Sequence, residues 1–165
     1  MNVGDSIRCS GPVGKINYRG WGKFLALNKE LPNKKTRIGL CAGGSGFTPM
    51  YSIALASSLA KDGVEIKFLF SNKTKDDIFC ERQLNTLVYM NPNFKLFHTL
   101  TRHMPEDHGQ WTGLQGRVTM QMLKNCGFPE PADDVLILTS GPKGFNSAIR
   151  GFLAANGYVE GEHFI

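Results

Sequence analysis

Cysteine is sparse in this chain, and no long apolar run occurs. Its four cysteines, Cys9, Cys41, Cys80 and Cys126, lie far apart in 165 residues. No C-x-x-C pair exists, and the four histidines, His98, His103, His108 and His163, show neither H-x-x-x-H spacing nor cysteine partners. No metal site is therefore expected. A disulfide framework is not expected either, which makes a reduced, intracellular setting the default. No stretch of 18 apolar residues is present, so no membrane segment is expected in this range. The first residues, "MNVGDSIRCSGPVG", lack the apolar core of a signal peptide. No basic run of five with interleaved aromatics occurs. The net charge of +5 fits anionic small molecules or acidic proteins and makes no case for nucleic acid. Internal repeats and low-complexity tracts are also missing.

What is present changes character near residue 34. Residues 1–33 hold short β-branched stretches between glycine turns, as in "GDSIRCSGPVGKINYRGWGKF". They read as strands and turns too few to bury a sheet alone. From residue 34 to 165 apolar runs alternate with helical patterns. "TRIGLCA", "VEIKFLFS", "NFKLFHTLT" and "DDVLILTS" read as strands, and "YVEGEHFI" as a last edge strand. Between them lie helices in "MYSIALASSLAKDG", stopped by Gly63, in "DDIFCERQLNTLVYM", begun by Asp76 and Asp77, in "RVTMQMLKNCG", ended by Gly127, and in "GPKGFNSAIRGFLAANG". The pattern predicts an α/β fold: a doubly wound, mainly parallel five-stranded sheet with helices on both faces.

Such sheets bind ligands beyond the carboxyl ends of their strands, where strand order reverses. Two glycine loops leave strand ends here, "AGGSGFTP" and "TSGPKGF", and are expected to face each other. The first fails three strict patterns. Pro49 stands where G-x-G-x-x-G needs its third glycine. No lysine follows for a phosphate loop. Phe47 breaks G-x-S-x-G, which leaves Ser45 a poor nucleophile and a serine hydrolase without support. What survives is a glycine turn entering a helix, with Thr48 placed to cap it and Pro49 suited to its first turn. Such a turn aims backbone N–H groups at an anion. The plain alternative for each loop is a tight strand-to-helix turn without a ligand.

Together "GLCAGGSGFTPM", "FLFSNKTKDDIFCERQLNTL", "FKLFHTLTR", "W…GRVT…ML" and "VLILTSGPKGF" resemble, in order and spacing, the pyridine-nucleotide domain of ferredoxin reductase-like flavoproteins. Within them, the likeness is nearest to NADH–cytochrome b5 reductase and the flavin module of nitrate reductase. The opening 33 residues resemble the end of that family's flavin-binding β-barrel, which implies a β remnant before the nucleotide domain. The resemblance implies an NAD(P)H-dependent oxidoreductase that passes hydride from nicotinamide to FAD and then electrons to a haem-protein acceptor. It places Gly43, Gly44, Ser45 and Gly46 at the pyrophosphate, and Thr48 and Pro49 by the nicotinamide and flavin. Ser71, Asn72 and Lys73 fall at the adenosine ribose, with Ser140, Gly141 and Pro142 flanking the nicotinamide. Thr48 and Ser140 are the candidate catalytic residues.

The chain departs from the family pattern in three places. The flavin signature is missing, so the FAD site is expected mostly outside this range, in a longer enzyme inactive without it. A membrane anchor outside this range and a cytoplasmic-face location fit the same resemblance. Ser140 stands where the family commonly has cysteine, which removes any thiol role. Thr101, followed by Arg102, stands where NADH-using members commonly carry Asp. That loss removes a charge that repels a 2′-phosphate, and Lys73 and Arg102 add cations. NADPH is therefore expected to be accepted alongside NADH. The alternatives are a regulatory nucleotide-binding module without turnover, and the flavin module of a nitrate reductase-like enzyme. Trp111 over the adenine, Phe164 by the flavin, and a basic patch of Lys15, Arg19 and Lys23 for an acidic acceptor complete the expectations. Packing, for Trp111, and a solvated face, for the lysines and Arg19, are the simpler readings of those residues.

Overall fold

The structure, a computed structural model, describes residues 2–11, 14–102 and 111–165. His103, Pro105, His108 and Gly109 lie outside the described residues. Three short strands come first: β1 (Ile16–Tyr18), β2 (Phe24–Ala26) and β3 (Lys29–Glu30), paired antiparallel in a meander. Leu27 and Asn28, both at positive φ (49° and 65°), make the two-residue turn between β2 and β3. Positive φ at both positions matches the twist of the flanking strands.

The parallel α/β unit follows. Strand β4 (Arg37–Gly43) leads through a 3-10 turn (Gly44–Gly46) into α1 (Phe47–Ala60). Then come β5 (Glu65–Asn72), α2 (Glu81–Met90), β6 (Phe94–Leu100) and the short β7 (Leu114–Gln115). The chain closes with α3 (Met120–Asn125), β8 (Val135–Ser140) and α4 (Lys143–Ala155). All five strands of this sheet are parallel, in the order β7-β6-β5-β4-β8. The chain therefore steps outward from β4 to β7 and returns to the far side of β4 at β8. The order reverses between β4 and β8, the place where such sheets bind ligands.

Alternation along the strands builds two cores. Ile38, Leu40 and Ala42 of β4 join Ile66, Phe68 and Phe70 of β5 under Met50 and Ile53 of α1 and Leu84 and Leu87 of α2. Cys41, Leu69, Val135 and Ile137 face the other way, under Leu123 of α3 and Ile149 and Leu153 of α4. Phe24 of the meander packs into the first core. Fully burying each such side chain stabilises the fold by about 1.5–3 kcal/mol. Among the described residues no helix is long and apolar enough to cross a membrane.

The expected α/β architecture is present, with several local corrections. The fifth strand is β7, not "YVEGEHFI". That segment turns at Gly161 (φ 83°) and makes only isolated bridges, with Ile137 N–H donating to His163 O at 2.7 Å. Phe164 is buried in the second core beneath the Arg150 guanidinium. Helix α2 begins at Glu81, not at Asp76. Asp77 instead accepts from the Thr74 N–H (2.9 Å) and hydroxyl (2.8 Å), which closes a separate 3-10 turn over Lys75–Asp77. Cys80, at φ 57°, then redirects the chain into the helix. Helix α1 leaves its axis at Lys61 (φ 49°), two residues before Gly63. Helix α3 starts only at Met120, because Thr119 caps it by accepting from Met122 N–H at 3.1 Å.

Candidate functional site

The site is built where β4 and β8 lie side by side, Ala42 opposite Ser140. Beyond this pair the two glycine loops pack directly on one another. A methyl group on Gly46 would collide with the Ser140 carbonyl oxygen, and one on Gly141 would lie 3.2 Å from Gly43 Cα and 2.8 Å from the Phe145 ring. Gly44 sits at φ 52° with open space around it, so the backbone is bare on its outer side. Thr48 is not the cap of α1. Gly46 occupies that position without a side-chain cap, and the Thr48 hydroxyl, inside the first turn, donates back to Ser45 O at 3.3 Å. Pro142, before α4, likewise caps without a side-chain bond. Two long helices thus point N-termini with no side-chain cap at one crevice, where their spare N–H groups suit an anion.

On one side of the loops lies a cavity of about 400 Å³. Gly43, Gly44 and Pro142 form its floor, with Ser71, Asn72, Lys73 and Thr101 on its walls. The backbone bonding of β5 with β6 continues past the strands: Thr101 N–H donates to Asn72 O at 2.9 Å and Arg102 N–H to Lys73 O at 2.8 Å. This fixes the two wall segments together. Asn72 is 6% exposed, and its side-chain Nδ2 has no hydrogen-bond partner. A buried amide donor left unmade is costly, so it calls for an acceptor such as a hydroxyl oxygen. Asp77 completes the wall. Hydrogen bonds from Thr74, and then the charges of Lys73 and Arg102, hold its carboxyl below the usual range. A neighbouring cavity of about 360 Å³ shares Ser71, Thr101, Pro142 and Phe145 and adds Arg117.

On the opposite side of the loops lies a third cavity, of about 650 Å³. Pro49, Met50 and Ser52 of α1, Thr139 and Ser140 of β8, and Lys15–Tyr18 of the meander line it. Of the residues that the resemblance placed at the cofactor, seven line the first cavity (Gly43, Gly44, Ser71, Asn72, Lys73, Thr101, Pro142) and two the third (Pro49, Ser140). Ser45 and Thr48 are exposed on the turn, and Gly46 and Gly141 serve the contact between the loops. Arg102 lines none of these cavities. Trp111 does not line them either: its Nε1 donates to Leu114 O at 3.0 Å and its ring meets His98 edge-on. Asp77 was read only as a helix-start charge, and Phe79, Phe145 and Arg117 were not singled out, yet all four line the walls. Only position within the quoted motifs marked them.

The oxidoreductase NAD-binding domain family matches residues 40–151. The chain belongs to this family. Within it, "NADH-cytochrome b5 reductase 1" of Dictyostelium discoideum is 33% identical over 99% of this chain and 52% of its own length. The human protein of the same name is 37% identical over 86% and 47%. The chain thus spans about half the length of the curated relatives it matches. A solved structure, the cytochrome b5 reductase domain of Ulva prolifera nitrate reductase, superposes with a TM-score of 0.84 at 26% identity, over 94% of this chain and 58% of that one.

Proposed function

We propose that this chain is the NAD(P)H-binding part of a cytochrome b5 reductase-like flavoprotein oxidoreductase. The observation that carries the reading is a pair of cavities on opposite sides of the fused glycine loops, one walled for a ribose, the other open toward the meander. A dinucleotide laid across the loops has its pyrophosphate over Gly43, Gly44, Ser45 and Gly46, facing the N–H groups of both helices. Ser71, Asn72, Lys73 and Thr101 take the adenosine ribose, and the unpartnered Asn72 amide donates to one of its hydroxyls. Thr48, Pro49, Ser140, Gly141 and Pro142 border the nicotinamide end.

When bound, reduced nicotinamide supplies a hydride and FAD, held mainly by residues outside this range, accepts it. The protein's task is positioning. Ser140, half-buried at the rim of the larger cavity, offers a hydroxyl to orient the nicotinamide amide. The α1 face from Pro49 to Ile53 lines the same cavity and would hold the ring in place. The meander, read as the end of the flavin-binding barrel over residues 1–33, forms the opposite wall of the cavity. Lys15, Arg19 and Lys23 are exposed on it, a basic surface for an acidic haem-protein acceptor.

The resemblance to the Ulva prolifera domain favours one second reading, the flavin module of a nitrate reductase-like enzyme. "Nitrate reductase [NADH]" of Volvox carteri is also 33% identical, over 86% of this chain. The test is the full-length protein expressed from its own gene. A yellow protein that reduces ferricyanide with NADH or NADPH supports the reading. A full-length protein that never binds flavin overturns it.

A further inference from the structure

Asn146 belongs to α4, yet its half-buried side chain turns back to the loop before that helix. Its Nδ2 donates to Gly141 O at 2.9 Å. Its Oδ1 accepts from the Thr139 hydroxyl at 3.1 Å. The amide can face only this way, because a backbone carbonyl accepts and must meet the NH2 group. Asn146 therefore holds the residue before Ser140 and the residue after it. Its own backbone is fixed by an N–H bond to Pro142 O at 3.1 Å. Asparagine is a weak helix former because its side chain competes for nearby backbone groups. In α4 that same tendency closes a clamp across Ser140. Thr139 and Ser140 both line the larger cavity, whereas Asn146 lines none of the three.

We infer that Asn146 is a positioning residue for hydride transfer: it sets the backbone of Ser140, and with it the direction in which the Ser140 hydroxyl enters the larger cavity. The inference rests on the nucleotide reading above, which puts the nicotinamide in that cavity. A hydroxyl without a protein partner is aimed by its Cα–Cβ bond, and the rotamers open to it follow φ and ψ. The Ser140 carbonyl is packed against Gly46 on one side. The Asn146 clamp fixes the flanking residues on the other. A reacting group misplaced by about 1 Å loses up to about 100-fold in rate, so a loosened clamp slows the chemistry. The grip on the rest of the nucleotide, made by other loops, stays as it was.

The experiment is stopped-flow reduction of the flavin in the full-length protein by NADH and by NADPH, with the limiting rate and the nucleotide dissociation constant read separately. N146L keeps the bulk of the side chain and removes both bonds. It is expected to lower the limiting rate about as much as S140A does, roughly tenfold. The dissociation constant should stay within about twofold. Placed on top of S140A, N146L should slow the protein by no more than about a further twofold, because residues acting through one contact are not additive. T139V removes one bond at nearly constant shape, and T139S, which restores the donor, should recover most of the rate that T139V loses. Fully additive losses in S140A and N146L overturn the positioning role and leave the nucleotide reading standing. So does an N146L rate equal to that of the unaltered protein, or affinity that falls in step with rate. Should N146L fail to fold, equal rates in T139V and T139S overturn the role by themselves. A flavin-containing protein that neither nucleotide reduces overturns the nucleotide reading itself, and the positioning role with it.

Discussion

Gly46 and Ser140 touch so closely that no side chain fits between them: a Cβ on Gly46 would overlap the Ser140 carbonyl and lie 2.7 Å from the Gly141 nitrogen. The contact joins the end of β4 to the end of β8 and sets the angle between the two helix N-termini. G46A is therefore expected to push the loops apart, cost about 1–3 kcal/mol as overpacking does, and weaken nucleotide binding. G44A faces open space and is strained only by its positive φ, at about 1–2 kcal/mol. Thermal unfolding of the two variants, with calorimetric nucleotide titration of each, checks this. The contact has been misread if G46A binds nucleotide as tightly as the unaltered chain does.

Ser140 lies at the boundary between β8 and the larger cavity, and its side chain is free of any protein hydrogen bond among the described residues. S140A is expected to slow hydride transfer in the flavin-containing protein by roughly tenfold, the loss of about one hydrogen bond to the reacting group. Its melting temperature should move little. Stopped-flow reduction of the flavin by NADPH reports the rate directly. An unchanged rate removes Ser140 from the mechanism.

The sheet was legible because each strand carries its own signal. Ile38, Leu40 and Ala42 alternate with Gly39 and Cys41, and glycine follows both β4 and β8. The loop pair was legible as well, since glycines at strand ends have few other uses. The walls were not. Arg117 reaches the neighbouring cavity only because β7 and the turn before α3 bring it back beside Thr101. No local pattern encodes that return. Asp76 and Asp77 resembled helix-start charges, as acidic residues before an apolar run do, but the Thr74–Asp77 capping box is satisfied within its own four residues and ends there. Thr48 resembled a cap because Pro49 follows it. The 3-10 turn at Gly44–Gly46 runs straight into α1 at Phe47, so Thr48 already lies inside the helix.

At the amino end of the sheet, Arg37 and Asp134 form a two-pronged ion pair, Nη2 to Oδ1 at 2.5 Å and Nε to Oδ2 at 2.9 Å. Hydrogen bonds from Arg37 and Thr36 hold the Asp134 carboxyl well below its ordinary value. A lowered native value stabilises the fold above the unfolded pKa of about 3.9, and that contribution disappears as pH falls through the lowered value. Both side chains are more than a third exposed, so the gain is screened and at most about 1 kcal/mol. D134N should therefore lower stability at pH 7 by at most about 1 kcal/mol, and the difference should shrink as pH falls below about 4, which flattens the acid limb. Urea unfolding across acid pH measures this. An acid limb identical in the two proteins shows that other carboxylates set it.

Asp62 ties the meander to the nucleotide unit. Its Oδ2 accepts from the Tyr18 hydroxyl and from the Trp21 N–H (3.1 Å), and its Oδ1 from the Ser57 hydroxyl (2.7 Å) and the Val64 N–H (3.2 Å). Burial first, and the bond to Asp62 second, raise the Tyr18 phenol to about 12. The neutral phenol is the form the fold favours. The stability it adds is complete below the unfolded value of about 10 and is lost as pH rises toward about 12. Y18F removes this alkaline dependence and costs about 1 kcal/mol at neutral pH. D62A strands four donors at once and should cost more, about 2–4 kcal/mol. Because β1 and α1 form facing walls of the larger cavity, D62A should also lower the hydride-transfer rate of the flavin-containing protein while nucleotide affinity at the first cavity holds. If affinity falls in step with rate, the damage is general unfolding, and Asp62 has no special part in setting the two walls apart.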